Sequence, residues 1–575
     1  MNVDAAESAL ACRQFELPDA VTWWATVDPG RPALTFLAFS GRQRSEETLT
    51  YGELDRSARA WAARLATGTT RGDRVALMLG QSLDYLTALL GCLYAGRVAV
   101  PLYAPDARRS DDRLVAVLSD VRPTAVVCSP EAVEAVEALL GAGTVRILRT
   151  GDPTEHSSGL AGEGDDFTPA RGDETAYLQY TSGSTRCPAG VQVTARNLAV
   201  AMTQLRECVP LDEGPMVSWL PYFHDMGLVY GFAAVLQCGG HCWTMSPMAF
   251  VQRPSRFLHA LSDARAALTI VPNFAVDMCV RRVPESEREG LDLRHLKAFG
   301  NGSEPIRASS MTRFSEAYAP FGFDHLAHQP GYGLAEATLM VTAHRYGSPL
   351  TVLHVSRSAL AGGVAREART GETVEVVSCG VPIGQRVRIV DPDKAIVLPD
   401  GSVGEVWVQG DNVCRGYVGR PDLTAETFGG RLRDDPDGPT WLRTGDLGFL
   451  RHDELFLVGR SKDLIIIAGK NHYPADIEAT VAEAAAEIRA GGVVAMPTRG
   501  AGPEGLVVAA EIEPRASASL DRDHTVRAVR SAVAAAHGIV PVDILLLRAG
   551  TIPRTTSGKL QRRACSARYE AGELT

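Results

Sequence analysis

The sequence predicts an α/β protein: a large N-terminal domain of layered α/β subdomains with a β-rich subdomain, followed by a small α+β C-terminal domain. Three observations carry that expectation. Short β-branched runs alternate with helical patterns through the first third of the chain. After about Val387 the texture changes to short strand candidates separated by turn residues. At 575 residues the chain also exceeds the ~250–300 residues at which a single core stops growing, so at least two domains are expected.

Taken in order, Val75 to Leu79 is the first strand candidate of a βα unit. The stretch SLDYLTALLGCLYAG sets Leu83, Leu86, Leu90 and Leu93 on one helical face, and Gly96 suits the helix end. VAVPLY is the next strand candidate, and TAVVCSP followed by EAVEAVEALLGAG repeats the unit. This alternation favours a mostly parallel sheet covered by helices. The segment from Thr150 to Pro169, rich in Gly, Ser, Pro and acid, reads as an exposed loop. RVRIVDP, GEVWVQG, WLRTGDLGFL and ELFLVGR are the strand candidates of the β-rich piece. From SKDLIIIAGK onward, strands mix with Ala-rich helices such as ADIEATVAEAAAEI, which marks the compact C-terminal domain.

Composition narrows the function classes. Hydrophobic residues make up 45% and charged residues 22%, as in an ordinary globular protein. With 58 Lys and Arg against 68 Asp and Glu, the formal charge of −10 argues against a chain-wide nucleic-acid footprint. No run of ~18 apolar residues suggests a membrane span, and the acidic first residues do not resemble a signal peptide. Eleven scattered cysteines without a C-x-x-C pair fit reduced thiols and a cytoplasmic location. Cys238, His241 and Cys242 in CGGHC lack the four ligands of a recognised zinc pattern, so the cysteines read as small buried hydrophobes.

The stretch LQYTSGSTRCPAGV, from Leu178 to Val191, looks like a phosphate-gripping loop. Gly183 lets backbone N–H groups approach phosphate oxygens, while Thr181, Ser182, Ser184 and Thr185 supply hydroxyl donors. The lysine of a Walker loop is absent, and alone the stretch reads more readily as a surface turn.

Further segments follow in order: WLPYFHDMGL, NGSEPI, YGLAEAT, RTGDLG, GRSKDLIII and PRTTSGKLQR. Together with the loop they resemble the adenylate-forming superfamily of acyl-CoA synthetases, luciferases and peptide-synthetase adenylation domains, from about Tyr51 onward. LQYTSGSTR, SWLPYFHDMG, the SPMAFVQRP to VPNFAVDMCVRRV block, VSCG and GKNHYPADIE resemble the fatty acyl-AMP ligases more closely. That family delivers acyl groups to carrier proteins rather than to coenzyme A. It carries an insertion thought to hinder the domain movement of coenzyme A chemistry, and residues 347–375 are the candidate for it. TVLHV and TVEVV could instead simply pair as a hairpin.

The resemblance implies ATP- and Mg²⁺-dependent attack of a fatty carboxylate on the α-phosphorus, with pyrophosphate leaving. It implies a domain of residues 1–460 and a small mobile one of residues 461–575, with Lys462 at the hinge. Glu336 would help hold Mg²⁺. Tyr332 would stack on adenine in a pocket lined by Gly302, Ser303, Glu304 and Gly333. Asp446 would accept the ribose hydroxyls, assisted by Arg460. His224 would sit where carboxylate and phosphate meet, as gate and donor rather than base, because a carboxylate is already ionised at pH 7. Lys559 would bridge the attacking carboxylate and an α-phosphate oxygen. Phe250, Phe257, Phe274 and Met278 are candidates for the wall of an acyl tunnel, although they would equally make an ordinary core.

No cysteine stands in a nucleophile motif, so the acceptor thiol is expected from the phosphopantetheine arm of an acyl carrier protein. Ala189, Ala195 and Ala335 replace a Lys, a His and a Thr of many superfamily members, which puts pyrophosphate-side affinity in doubt more than the reaction type. Two other readings stand beside this one: an acyl-CoA synthetase, and a non-catalytic binding protein that keeps the fold. The spread of Glu336, Asp446, Arg460 and Lys559 over both domains speaks against the second.

Overall fold

Parallel strands dominate the first two-thirds of the chain, as the β-branched runs require. The computed structural model describes residues 15–106, 111–141, 143–151, 168–180, 188–498, 504–555 and 558–574. Within them a six-stranded sheet runs in the order Arg146–Arg149, Ala125–Cys128, Arg74–Leu79, Val98–Tyr103, Thr175–Tyr180, Gly190–Thr194. Its pairs are parallel except the last. A nine-stranded sheet has a parallel centre of Pro32–Ser40, Cys242–Met245, Met216–Ser218, Leu268–Pro272, Ala298–Gly302 and His328–Gly333, and antiparallel edges.

The helix Leu83–Tyr94 that follows the first strand of the six-stranded sheet departs from expectation. Leu83, Leu86, Leu90 and Leu93 are buried, but so is every other residue of the helix except Asp84. It lies between layers rather than on a surface, which is why it is apolar all round. Gly96 follows at φ +63°, as a helix end of this kind requires.

The β-rich piece is a five-stranded antiparallel sheet ordered Ile396–Val397, Arg386–Asp391, Gly404–Gln409, Leu442–Arg451, Glu454–Arg460. The segment before it does pair: Val352–Ser356 lies antiparallel to Thr373–Val377, with a short helix, Arg357–Ala361, between them. Beyond residue 464, a three-stranded sheet of Ile488–Pro497, Leu506–Ile512 and Asp543–Arg548 has apolar clusters built only from residues 465–574. The C-terminal region is tied to the paired segment by Arg357, which grips the Asp476 carboxylate at 2.9 and 3.0 Å, and by Tyr473, which packs in one apolar cluster with Val355, Leu360 and Val376 and whose hydroxyl donates to the Leu360 carbonyl at 3.3 Å. Among the described residues no helix is long and apolar enough to cross a membrane.

Candidate active site

In a parallel sheet, ligands collect at the carboxyl ends of the strands, where backbone dipoles and loops converge. That rule locates the site here. Trp219 to Asp225 follow the strand Met216–Ser218, Phe274 follows Leu268–Pro272, Gly302 to Glu304 end Ala298–Gly302, and Tyr332 and Gly333 end His328–Gly333. All but Tyr222 and Phe223 line one cleft of about 2670 Å³, whose other wall carries Asp446, Arg460, Lys462, Arg554 and Lys559. Thr181, Ser182, Gly183, Ser184 and Thr185 lie outside the described residues, as does most of the stretch from Thr150 to Pro169.

Glycine and strained backbone shape the side of the cleft around Gly302 and Gly333. A Cβ on Gly333 would lie 1.8 Å from the Leu339 carbonyl oxygen, so only glycine fits. Ser303 and Thr338 both hold positive φ, +73° and +64°, an unfavourable region for residues with a Cβ. Thr338 is held there by its hydroxyl, which donates to the Asn412 carbonyl at 2.7 Å. The turn so fixed presents Glu336, whose Oε1 accepts from Tyr417 Oη at 2.7 Å. Burial pushes the Glu336 carboxyl above its ordinary pKa, and Asp225 adds to this. A carboxylate in that position is suited to a cation.

Asp446 and Arg460 face each other on neighbouring strands, and Arg460 Nε donates to Asp446 Oδ1 at 2.9 Å. Tyr332 Oη donates to the other oxygen at 2.7 Å. The carboxylate expected to take ribose hydroxyls therefore has partners already. Lys462 sits exposed in the short turn Ser461–Asp463 that leads into the C-terminal region.

The cleft around His224 is more charged than the motifs alone indicate. His224 Nδ1 lies 2.5 Å from Asp225 Oδ1, an aspartate that sequence reasoning passed over although it stands in the FHDMGL motif. Burial alone would raise the Asp225 pKa, but His224, Lys559 and the Met226 N–H outweigh it and hold the carboxyl below its usual range. Burial lowers the Lys559 pKa and Arg460 adds to this, against the attraction of Asp225, Glu304 and Asp446. Glu304 shifts the other way: burial raises its pKa despite a 2.5 Å bond from the Phe274 N–H. Behind His224 an eight-residue π-helix, Met226–Ala233, runs fully buried. Such wide turns cluster at functional sites.

The acyl candidates divide. Phe274 and Met278 line the cleft, together with Trp219, Met248 and Val251. Phe250 and Phe257 do not. Both are fully buried, Phe250 stacked on Trp219 at 4.1 Å and Phe257 set edge-on to Phe250 at 5.7 Å, so they support the wall from behind. Of the CGGHC stretch, Cys242 is core, and His241 bonds the Thr35 hydroxyl at 2.8 Å.

The profile of the family described as AMP-binding enzyme matches residues 21–418, and that of the Disco-interacting protein 2-like AMP domain matches residues 462–575. The chain is 40% identical over 616 residues to the long-chain-fatty-acid–AMP ligase FadD32 of Mycolicibacterium smegmatis, covering 98% of this chain and 96% of that one. It belongs among the fatty acyl-AMP ligase-like members of the adenylate-forming enzymes. The ligase is also 39% identical over 545 residues to the putative fatty-acid–CoA ligase FadD21 of Mycobacterium tuberculosis, over 92% of this chain and 93% of that one. The fatty acyl-adenylate ligase of Legionella pneumophila, solved with acyl adenylate and pyrophosphate, superposes with a TM-score of 0.75 at 34% identity, over 98% of this chain and 97% of that one.

Proposed function

We propose that the ligase uses ATP and Mg²⁺ to convert a fatty or other lipophilic carboxylic acid into its acyl-adenylate, releasing pyrophosphate. It then passes the acyl group to the phosphopantetheine thiol of an acyl carrier protein in polyketide, nonribosomal peptide or lipid biosynthesis. The observation that carries the reading is the meeting of Lys559 with Asp225, Glu304 and Asp446 in a cleft that also has an apolar arm at Trp219, Phe274 and Met278.

The reaction asks for positioning and charge stabilisation rather than proton abstraction, because the attacking carboxylate is already ionised. Lys559 supplies an ammonium where negative charge grows on the α-phosphate. Asp225 keeps His224 oriented as a donor beside it. Tyr332 and the Gly302–Glu304 backbone take the adenine, and Asp446 with Arg460 takes the ribose. Glu336 would hold Mg²⁺, which supplies neutralisation of phosphate charge when bound. A single buried carboxylate fits an ion whose remaining ligands are substrate oxygens and water. Among the described residues the thiol that lines the cleft, Cys379, is pushed up to about 12 by burial, which makes it a poor nucleophile and favours an outside thiol. Residues 461–575 turn about Lys462 between the two half-reactions, and residues 347–375 restrain that turn.

The test is mass spectrometry of products from a mixed pool of carboxylic acids, with ATP and Mg²⁺, offered coenzyme A or a phosphopantetheinylated carrier protein. Acyl-adenylate and acyl-carrier are the expected products. Turnover to acyl-coenzyme A at a comparable rate would sink the acceptor assignment and favour the synthetase reading that the FadD21 relative's name carries.

A further inference from the structure

A fully buried carboxylate sits in the middle strand of the C-terminal sheet, distant in sequence from every motif. Glu511 is 0% exposed in Leu506–Ile512, between two other strands. A charge in that place is costly unless every oxygen is engaged. Here both are. Oε1 accepts from the backbone N–H groups of Gly550 and Ile552 at 2.8 and 3.0 Å, and Oε2 pairs with Arg489 at 2.8 Å and Arg554 at 4.0 Å.

The partners explain its presence. Gly550 and Ile552 begin the connection that leaves the strand Asp543–Arg548 and leads to Lys559. Arg554 reaches across that connection and donates to the Gly558 carbonyl at 3.0 Å and to the Gly491 carbonyl at 2.5 Å. Gly558, at φ +86°, immediately precedes Lys559. Two hydrogen bonds join Thr555 and Lys559, from Thr555 N–H to the Lys559 carbonyl at 2.8 Å and from Lys559 N–H to the Thr555 hydroxyl at 3.1 Å. An apolar residue at 511 would leave the Gly550 and Ile552 N–H groups without their acceptor and Arg554 without its counter-charge.

We propose that Glu511 and Arg554 are positioning residues for the adenylation half-reaction, fixing the backbone on either side of Lys559 so that its ammonium enters the cleft in one orientation. Glu511 is buried outside the cleft, and Arg554, which lines it, acts here through the backbone that carries Lys559. The inference rests on the assignment of Lys559 to adenylate formation.

Glu511→Gln isolates the device. Its amide oxygen still accepts from Gly550 and Ile552, but its NH₂ confronts the donors of Arg489 and Arg554. Arg554→Gln, at a partly exposed position, cuts the other end with little risk to folding. Acyl-adenylate formation is measured by pyrophosphate exchange, and acyl transfer from synthetic lauroyl-adenylate to pantetheine is measured separately. Both variants are expected to lower kcat for adenylate formation by about 10–100-fold, with KM for ATP within about threefold and thiol transfer within about twofold. In a Lys559→Ala background neither is expected to lower the rate further.

Full adenylation rates in both variants, equal losses in both half-reactions, or an additional loss on top of Lys559→Ala would each overturn the proposal. If Glu511→Gln fails to fold, Arg554→Gln alone decides between these outcomes. Full pyrophosphate exchange by Lys559→Ala itself would instead overturn the assignment of Lys559, a failure distinguishable from that of Glu511 and Arg554.

Discussion

Lys559 stands among three carboxylates and one guanidinium, and its behaviour follows from them. Replacement by Ala is expected to lower adenylate formation by about 10²–10³ while ATP binding persists, as loss of a transition-state donor does. The pH dependence has a definite sign. The ammonium is the active form and burial lowers its pKa from 10.5, so adenylation falls as pH rises through that lowered value, earlier than an ordinary lysine would dictate. Lys559→Arg should remove this alkaline limb in rate profiles, because a guanidinium stays charged. For Glu336→Ala the expected result is loss of the Mg²⁺ response, and an unchanged Mg²⁺ titration would count against its metal role. Lys559, Glu336 and Asp446 could be singled out in the sequence because each stands in a motif that resembles the family's. Asp225 was passed over although it stands in the FHDMGL motif, and a lone tyrosine such as Tyr417 carries no spacing of its own. Phe250 and Phe257 fit the other alternative, an ordinary core, because aromatic content does not say which side of a wall a ring occupies.

At the scale of elements, periodicity identified the βα units and the change of texture after Val387, but not the surroundings of each element. The helix Leu83–Tyr94 reads as amphipathic only if one assumes a solvent face, and it has none. The π-helix Met226–Ala233 was invisible for a different reason: its wide turns depend on a close approach between Gly227 and the preceding loop. A Cβ there would lie 2.2 Å from the Pro221 carbonyl oxygen. Gly227→Ala is expected to cost about 2 kcal/mol or more in denaturant unfolding, because backbone must move. It should also lower adenylate formation by displacing His224, whose carbonyl accepts from the Leu228 N–H at 2.9 Å. A variant with unchanged stability and rate would show that the wide turns are incidental.

For the whole molecule, strand order was beyond sequence reasoning because the pairing is distant. Leu34 lies opposite Cys242 in the nine-stranded sheet, and no local pattern encodes such a partner. The Arg357–Asp476 pair joins the paired segment to the C-terminal region. Arg357→Ala should therefore broaden interdomain distances in fluorescence transfer measurements and raise acyl-coenzyme A formation if residues 347–375 act as a restraint. Unchanged distances would argue that the pair is merely a surface contact. The separate apolar clusters of residues 465–574 have one more consequence. A chain severed after Arg460 should yield two folded fragments, each inert, whose mixture regains adenylation at a rate set by the product of their concentrations. The intact linker raises that local concentration to about the millimolar range. The covalent connection thus acts as a built-in dose of one half for the other.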